Sequence, residues 1–92
     1  MSGRLRDKVA VITGASSGIG EATAQIFIDE GAHVVLGDIQ SALGNEVAER
    51  LGDKAKFLFC DVTREEQVEE LISEATHVTG TLDVMMNNAG IV

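Results

Sequence analysis

The chain of 92 residues contains no proline, no tyrosine and no tryptophan, and it has a single cysteine, Cys60. One cysteine cannot form an internal disulfide, and together with two distant histidines it cannot build a metal cluster, so no metal site is predicted. The absence of tyrosine excludes from these residues any chemistry that requires a phenol. Because no proline-rich stretch marks a linker, we expect residues 1–92 to form one domain.

Positive charge is also scarce: the chain has seven Lys and Arg residues and fifteen Asp and Glu residues, which gives a net charge of −8. This balance disfavours binding to nucleic acid or to an anionic membrane, because such binding relies on positive charge that releases counterions. Apolar runs such as residues 9–12 are far too short to span a bilayer. The basic segment 1–8 lacks the apolar stretch of a secretory signal. We therefore expect a soluble protein of the reducing cytoplasm.

What the chain does contain is an alternation of short apolar runs with amphipathic stretches, most of them closed by a glycine. The pattern predicts four strands and three helices in the order βαβαβαβ. Helical connections of this kind join parallel strands. The sequence thus predicts an α/β fold, an open parallel sheet with helices on both faces. The predicted strands span residues 8–13, 33–37, 56–60 and 82–87.

Local signals give further expectations for the helices. Ser41 is predicted to cap the second helix, and the run Thr63–Glu66 has the form of a capping box before the third. Gly31 and Gly52 are predicted to end the first two helices. The adjacent Met85 and Met86 are interpreted as core filling. Helical spacing of apolar residues predicts the buried face of the first helix, which comprises Ile19, Ala22, Thr23, Ile26 and Phe27.

A glycine-rich segment, Thr-Gly-Ala-Ser-Ser-Gly-Ile-Gly at 13–20, joins the first strand to the first helix. Gly14 allows a sharp turn off the strand, Gly18 leaves room for a phosphate, and Gly20 lets the helix approach the strand closely. The helix start offers unpaired N–H groups and the positive end of its dipole, so a pyrophosphate site is predicted. The alternative is a glycine-rich loop that only connects the strand to the helix and binds no ligand. Two hydroxyl donors complete the predicted phosphate site, Ser16 and Ser17.

An acid, Asp38, directly follows the second predicted strand, 18 residues beyond Gly20. Dinucleotide-binding units hold ribose hydroxyls with an acid at about this spacing. A 2′-phosphate beside this carboxylate would meet a repulsion of about 4 kcal/mol per pair of unit charges at ~4 Å. The neighbouring Ser17, Ile39 and Gln40 carry no charge that could offset it. We therefore expect NAD rather than NADP, although a solvated acid at a strand end is the alternative interpretation.

Four segments together resemble the short-chain dehydrogenase/reductase family: Thr-Gly-x-x-x-Gly-Ile-Gly at 13–20, Asp38, Cys-Asp-Val-Thr at 60–63 and Asn-Asn-Ala-Gly at 87–90. The resemblance covers essentially the whole chain. It implies the N-terminal part of a Rossmann fold, a three-layer doubly wound parallel sheet in the strand order 3-2-1-4 that ends after the fourth strand. It also implies the NAD-dependent alcohol dehydrogenase and ketoreductase branch of the family. The sequence around Asp38 and residues 60–63 is loosely similar to plant alcohol dehydrogenases that act on terpenoids and lignans.

The resemblance also implies roles for individual residues. Asp61 would reach the adenine amino group, Val62 would pack on the adenine ring, and Asn87 would mainly stabilise the sheet. Residues 14–19 would line the pyrophosphate and its adjacent ribose, and residues 88–90 would border the ribose next to the nicotinamide. The complete predicted cofactor site comprises Gly14, Ser16, Ser17, Gly18, Ile19, Gly20, Asp38, Ile39, Asp61, Val62, Asn88, Ala89 and Gly90.

Members of this family normally continue into a catalytic Ser and a Tyr-x-x-x-Lys pair, which a chain without tyrosine cannot contain. No catalytic residue is therefore assigned, and the chain alone is expected to be inactive. The implied function is the cofactor-binding part of an NAD-dependent oxidoreductase that interconverts small hydrophobic secondary alcohols and ketones. Family members often form tetramers, which implies a homo-oligomer. The alternatives are an inactive nucleotide-binding or subunit-interaction fragment and another doubly wound protein, such as a flavodoxin-like module.

Overall fold

A computed structural model describes residues 6–15, 17–79 and 83–87. Within this part of the chain, strands and helices alternate strictly, as the sequence predicts. The strands are β1 (Val9–Thr13), β2 (His33–Asp38), β3 (Ala55–Phe59) and β4 (Val84–Asn87). The helices are α1 (Gly18–Asp29), α2 (Ser41–Leu51) and α3 (Glu65–Thr79).

All four strands of the sheet are parallel and lie in the order β3-β2-β1-β4. The central strand β1 pairs with β2 on one side and with β4 on the other, so that Val11 lies opposite Val35 and Met85. The order β3-β2-β1 followed by β4 reverses the direction of strand addition at β1. The predicted α/β class and strand order are confirmed.

Two apolar layers cover the sheet, one on each face. Ala10 and Ile12 of β1 belong to the cluster that α1 and α2 cover, whereas Val9 and Val11 belong to the cluster that α3 covers. Every residue of β1 is buried. A strand covered on both faces has no solvent side, and this is why its sequence is continuously apolar rather than alternating.

The buried face of α1 differs from the predicted one. Ile19 and Ile26 are 73% and 60% exposed, and the fully buried residues of the helix are Gly20 and Ala24. Phe27 packs against the core as predicted. The helix lies so close to the turn below it that a Cβ atom on Gly20 would stand 2.6 Å from the Gly14 carbonyl oxygen. Close approach therefore selects small residues for the buried face, and apolar spacing alone pointed to the wrong side.

The ends of the first two helices are only partly as predicted. Gly31 and Gly52 follow α1 and α2 with φ of 100° and 95°, the left-handed region that favours glycine. The predicted Ser41 cap is wrong, because α2 already begins at Ser41. The residue before it, Gln40, accepts the Gly44 N–H at its carbonyl oxygen, and its side chain makes no capping hydrogen bond.

The start of α3 also lies later than the predicted capping box. Arg64 supplies the first helical carbonyl, which accepts the N–H groups of Gln67 and Val68. Thr63 instead directs its hydroxyl towards Asp61. The predicted box is wrong because the helix begins at Glu65 with Arg64 before it, which leaves Thr63 one residue too early to cap it.

The two methionines of β4 differ in their surroundings. Met86 packs against the core on the side of α1 and α2, whereas Met85 is 43% exposed. Side chains of successive strand residues point to opposite faces, and α3 packs across β1 and β2 rather than over β4. The interpretation as core filling is therefore right for Met86 and wrong for Met85.

None of the helices in the described ranges has the length and apolar character needed to cross a membrane.

Candidate functional site

The glycine-rich segment forms a tight turn at the carboxyl end of β1. Gly14 has a φ of 68°, the left-handed conformation that allows the chain to leave the strand sharply. Its carbonyl oxygen accepts the N–H of Ser17 at 3.3 Å, which closes the turn. The N–H of Ala15 donates to the carbonyl oxygen of Gly37 at 3.3 Å. The turn is thereby tied to the end of the neighbouring strand β2.

Ser17 is the N-cap of α1. Its hydroxyl oxygen accepts the N–H of Gly20 at 3.0 Å, and its hydroxyl group donates to the Gly14 carbonyl at 2.9 Å. The Ser17 carbonyl accepts the Glu21 N–H at 2.9 Å. Ser17 thus holds the turn and the helix together, and a bound phosphate would have to compete with the Gly14 carbonyl for its hydroxyl hydrogen.

Two backbone amides remain at the start of α1. Among the described residues, the N–H groups of Gly18 and Ile19 have no hydrogen-bond partner. Both residues are exposed, and a Cβ atom placed on Gly18 would meet nothing within 4 Å. These amides lie at the positive end of the helix dipole with open space before them, an arrangement that suits an anion.

Asp38 lies at the carboxyl end of β2, as predicted, and is partly buried. One of its carboxylate oxygens, Oδ1, accepts the N–H of Gln40 at 3.0 Å. The following residue, Ile39, is 60% exposed. The carboxylate thus stands at the same edge of the sheet as the glycine-rich turn, which Gly37 contacts through its carbonyl.

Asp61 follows β3 at the same edge. The N–H of Cys60 donates to the Asp38 carbonyl oxygen at 3.0 Å, which joins the two strand ends. The Oδ1 atom of Asp61 accepts the backbone N–H of Thr63 at 3.0 Å and its hydroxyl at 2.6 Å. The Thr63 hydroxyl hydrogen bond, followed by that from its backbone, lowers the pKa of the Asp61 carboxyl. Val62 is partly buried and packs against the core on the α3 face.

Two polar contacts next to these residues have no signal in the sequence. The side-chain oxygen of Gln67, in the first turn of α3, accepts the N–H of Asp61 at 2.8 Å. Arg50 of α2 reaches the carboxylate of Glu21 in the first turn of α1. Gln67 lies in the helix that directly follows the loop of Asp61, whereas Arg50 and Glu21 belong to different helices and meet only when α1 and α2 pack.

Cys60, between these two strand ends, is buried, and burial raises the pKa of its thiol. Cys60 is therefore a core residue rather than a reactive one. Asn87 ends β4 with its backbone opposite Thr13, next to the glycine-rich turn.

Four of the predicted cofactor residues lie outside the described residues, namely Ser16, Asn88, Ala89 and Gly90.

The described part of the site brings together the glycine-rich turn, Asp38 and Asp61 at the carboxyl ends of three neighbouring parallel strands. This edge, where the strand order reverses, is the place at which open α/β sheets bind ligands. The chain is therefore a doubly wound α/β protein with a glycine-rich turn at this edge of the sheet. Residues 8–92 match the family model described as short chain dehydrogenase, and the chain belongs to this family.

Curated relatives are plant proteins of about three times this length. The chain is 49% identical over 89 residues to "Tropinone reductase-like 2" of Erythroxylum coca, an alignment that covers 97% of this chain and 32% of that protein. It is 48% identical over 92 residues to "(+)-borneol dehydrogenase 1" of Salvia officinalis, with coverage of 100% and 35%. The chain thus spans about a third of the length of the curated relatives it matches.

Solved structures share the fold. A 3-ketoacyl-(acyl-carrier-protein) reductase from Brucella melitensis, complexed with NADH, superposes with a TM-score of 0.82 at 38% identity, covering 88% of this chain and 33% of that one. A short chain dehydrogenase from Mycobacterium smegmatis gives a TM-score of 0.87 at 38% identity, with coverage of 97% and 39%. At these identities the likeness extends to the family as well as the fold.

Proposed function

We propose that this chain is the NAD-binding part of an oxidoreductase that interconverts secondary alcohols and ketones by hydride transfer. The observation that carries the proposal is the position of Asp38 beside a turn whose helix presents two unpaired amides, on Gly18 and Ile19. A dinucleotide offers the two groups that these features suit, a pyrophosphate and a ribose with free hydroxyls.

The pyrophosphate is proposed to lie at the start of α1. The N–H groups of Gly18 and Ile19 would donate to its oxygens, and the helix dipole would add a favourable field. This attraction comes from the backbone and acts locally, so it does not require positive net charge. A chain with a net charge of −8 can therefore bind a dianionic group at this one point. Ser16 is proposed as a further donor.

The adenosine half of the dinucleotide is proposed to lie across the ends of β2 and β3. Asp38 would accept hydrogen bonds from the ribose hydroxyls, with the exposed Ile39 beside it. Asp61 would accept a hydrogen bond from the adenine amino group, and Val62 would pack against the ring. A 2′-phosphate would bring its negative charge close to the Asp38 carboxylate, which favours NAD over NADP.

The nicotinamide half is proposed to extend past the end of β4, bordered by Asn88, Ala89 and Gly90. The bound nicotinamide supplies or accepts the hydride. The names of the relatives, a borneol dehydrogenase and a tropinone reductase-like protein, support an alcohol or ketone substrate of small hydrophobic type. Because these 92 residues contain no tyrosine, we propose that they bind the cofactor without turnover. The proposed setting is a cytoplasmic homo-oligomer.

The test is a titration of the purified protein with NADH and NADPH, followed by nicotinamide fluorescence. We expect tighter binding of NADH by at least about tenfold, which corresponds to about 1.4 kcal/mol of the repulsion at Asp38. Asp38→Ala is expected to weaken NADH binding and to remove most of this preference. Asp53→Ala, which deletes an exposed acid in the turn between α2 and β3, is the matched control and should behave as wild type. Equal affinity of the wild-type protein for both dinucleotides would contradict the assignment of Asp38.

A further inference from the structure

The loop after β3 holds the Asp61 carboxylate in one orientation. Its Oδ1 atom accepts two hydrogen bonds from Thr63, one from the backbone N–H at 3.0 Å and a short one from the hydroxyl at 2.6 Å. The N–H of Asp61 is itself held by the side-chain oxygen of Gln67 at 2.8 Å. Both the backbone and the side chain of Asp61 are thereby anchored to the loop and to the first turn of α3.

From this arrangement we infer that Thr63 is a positioning residue, which sets Asp61 to select a nucleobase that carries an exocyclic amino group over one that carries a carbonyl at the same position. The inference rests on the proposed function, in which Asp61 meets the adenine ring. It adds a specificity that the dinucleotide-binding geometry does not by itself require, since the pyrophosphate and the ribose are the same in both kinds of dinucleotide.

The chemistry of the carboxylate gives this selectivity its direction. Thr63 occupies Oδ1, whereas among the described residues Oδ2 of Asp61 has no hydrogen-bond partner. The Thr63 bonds lower the pKa of the carboxyl, so at neutral pH it carries no proton and can only accept hydrogen bonds. An adenine amino group donates to such an oxygen. The carbonyl oxygen of hypoxanthine is itself an acceptor, so it is repelled by Oδ2 of Asp61 and cannot donate a hydrogen bond to it.

Thr63 does not have a competing role in starting the helix. The first helical carbonyl belongs to Arg64, and α3 begins at Glu65. The hydroxyl hydrogen of Thr63 goes to Asp61. Removal of this hydroxyl therefore leaves the Asp61 carboxylate held by the backbone N–H of Thr63 alone and so less firmly oriented, while the hydrogen bonds that open α3 are retained.

The experiment compares NADH with its reduced hypoxanthine analogue, in which the adenine amino group is replaced by a carbonyl. Binding of each is titrated by nicotinamide fluorescence in the wild-type protein and in the nearly isosteric variant Thr63→Val. Thr63→Ser, which keeps the hydroxyl, is the matched control. Asp61→Asn is a second variant, because its amide can donate to the carbonyl of hypoxanthine as well as accept from adenine.

We expect wild type to bind NADH more tightly than the analogue by about tenfold, the discrimination of one charge-assisted hydrogen bond. Thr63→Val should lower NADH affinity by about three- to tenfold with little change for the analogue. Thr63→Ser should retain the wild-type ratio of the NADH affinity to the analogue affinity, and Asp61→Asn should narrow or invert that ratio. Equal wild-type affinity for the two ligands overturns the inference alone, as does an equal loss for both in Thr63→Val. Failure of wild type to bind either ligand overturns the proposed function and this inference together.

Discussion

The guanidinium of Arg50 in α2 forms a bidentate ion pair with the carboxylate of Glu21 in the first turn of α1. Its Nε donates to Oε2 at 2.9 Å and its Nη2 to Oε1 at 2.8 Å. This bidentate pair joins the two helices that cover the same face of the sheet. Glu46, one turn before Arg50, lies 3.9 Å from the same guanidinium. The hydrogen bond from Arg50 holds the pKa of the Glu21 carboxyl below its ordinary value.

This pair predicts a pH dependence of stability. The folded-state pKa of Glu21 is lowered, so its contribution is present above the ordinary pKa of glutamate and is lost as the pH falls through the folded-state value. Glu21→Gln should therefore lower the thermal midpoint slightly at pH 7, since both partners are solvent-exposed. The difference from wild type should shrink as the pH falls below the ordinary pKa of glutamate and disappear below the lowered folded-state pKa. Thermal unfolding followed by circular dichroism across this range measures it.

Glu69→Gln is the control for this prediction. Glu69 is an exposed glutamate of α3 and makes no ion pair within the described ranges. Its substitution should leave the midpoint unchanged at both pH values. The ion pair would contribute nothing to the pH dependence if Glu21→Gln and Glu69→Gln followed the same curve.

Two glycines of the turn should respond in opposite ways to the same substitution. A Cβ atom on Gly20 would lie 2.6 Å from the Gly14 carbonyl oxygen and 2.7 Å from the Ala15 Cα, and backbone atoms cannot move aside easily. Gly20→Ala should therefore destabilise the fold by about 3 kcal/mol. Gly18→Ala meets open space and should keep or slightly raise stability, because alanine favours helix. Chemical denaturation measures both changes.

The same Gly18→Ala variant separates folding from binding. Its methyl group would stand where the phosphate is proposed to approach, so NADH affinity should fall by at least about tenfold, given overpacking energies of about 1–3 kcal/mol. A folded Gly18→Ala protein with wild-type affinity for NADH would show that the pyrophosphate does not lie at this turn.

Gly44 lies in the middle of α2 because a ring occupies the space beside it. A Cβ atom there would stand 2.0 Å from Cε1 of Phe57 in β3. Gly44→Ala should thus destabilise the protein by about 1–2 kcal/mol, the cost of the clash less the gain in helix propensity. In a Phe57→Ala background the clash is absent, so the same substitution should stabilise by up to about 1 kcal/mol. A double-mutant cycle in denaturant tests this change of sign, and an equal effect in both backgrounds would refute it.

Much of the fold follows from local patterns along the chain. Continuous apolar runs predict strands covered on both faces, helical connections predict a parallel sheet, and the glycines at 31 and 52 end helices where their positive φ requires them. The ligand edge is predictable for the same reason. In a parallel sheet with helical crossovers, Gly14, Asp38 and Asp61 follow successive strands and must meet at one edge.

The sequence by itself therefore determined the βαβαβαβ order, the parallel sheet and the edge at which the candidate site lies, because these depend on short-range periodicity and on helical connections between strands. The strand order was expected from the family resemblance rather than from these patterns. Only the tertiary structure decided which face α1 buries and that Arg50 pairs with Glu21. These features depend on how closely two elements approach and on which side chains then come within hydrogen-bond distance. Such distances are set by packing in three dimensions, and no spacing along the chain encodes them.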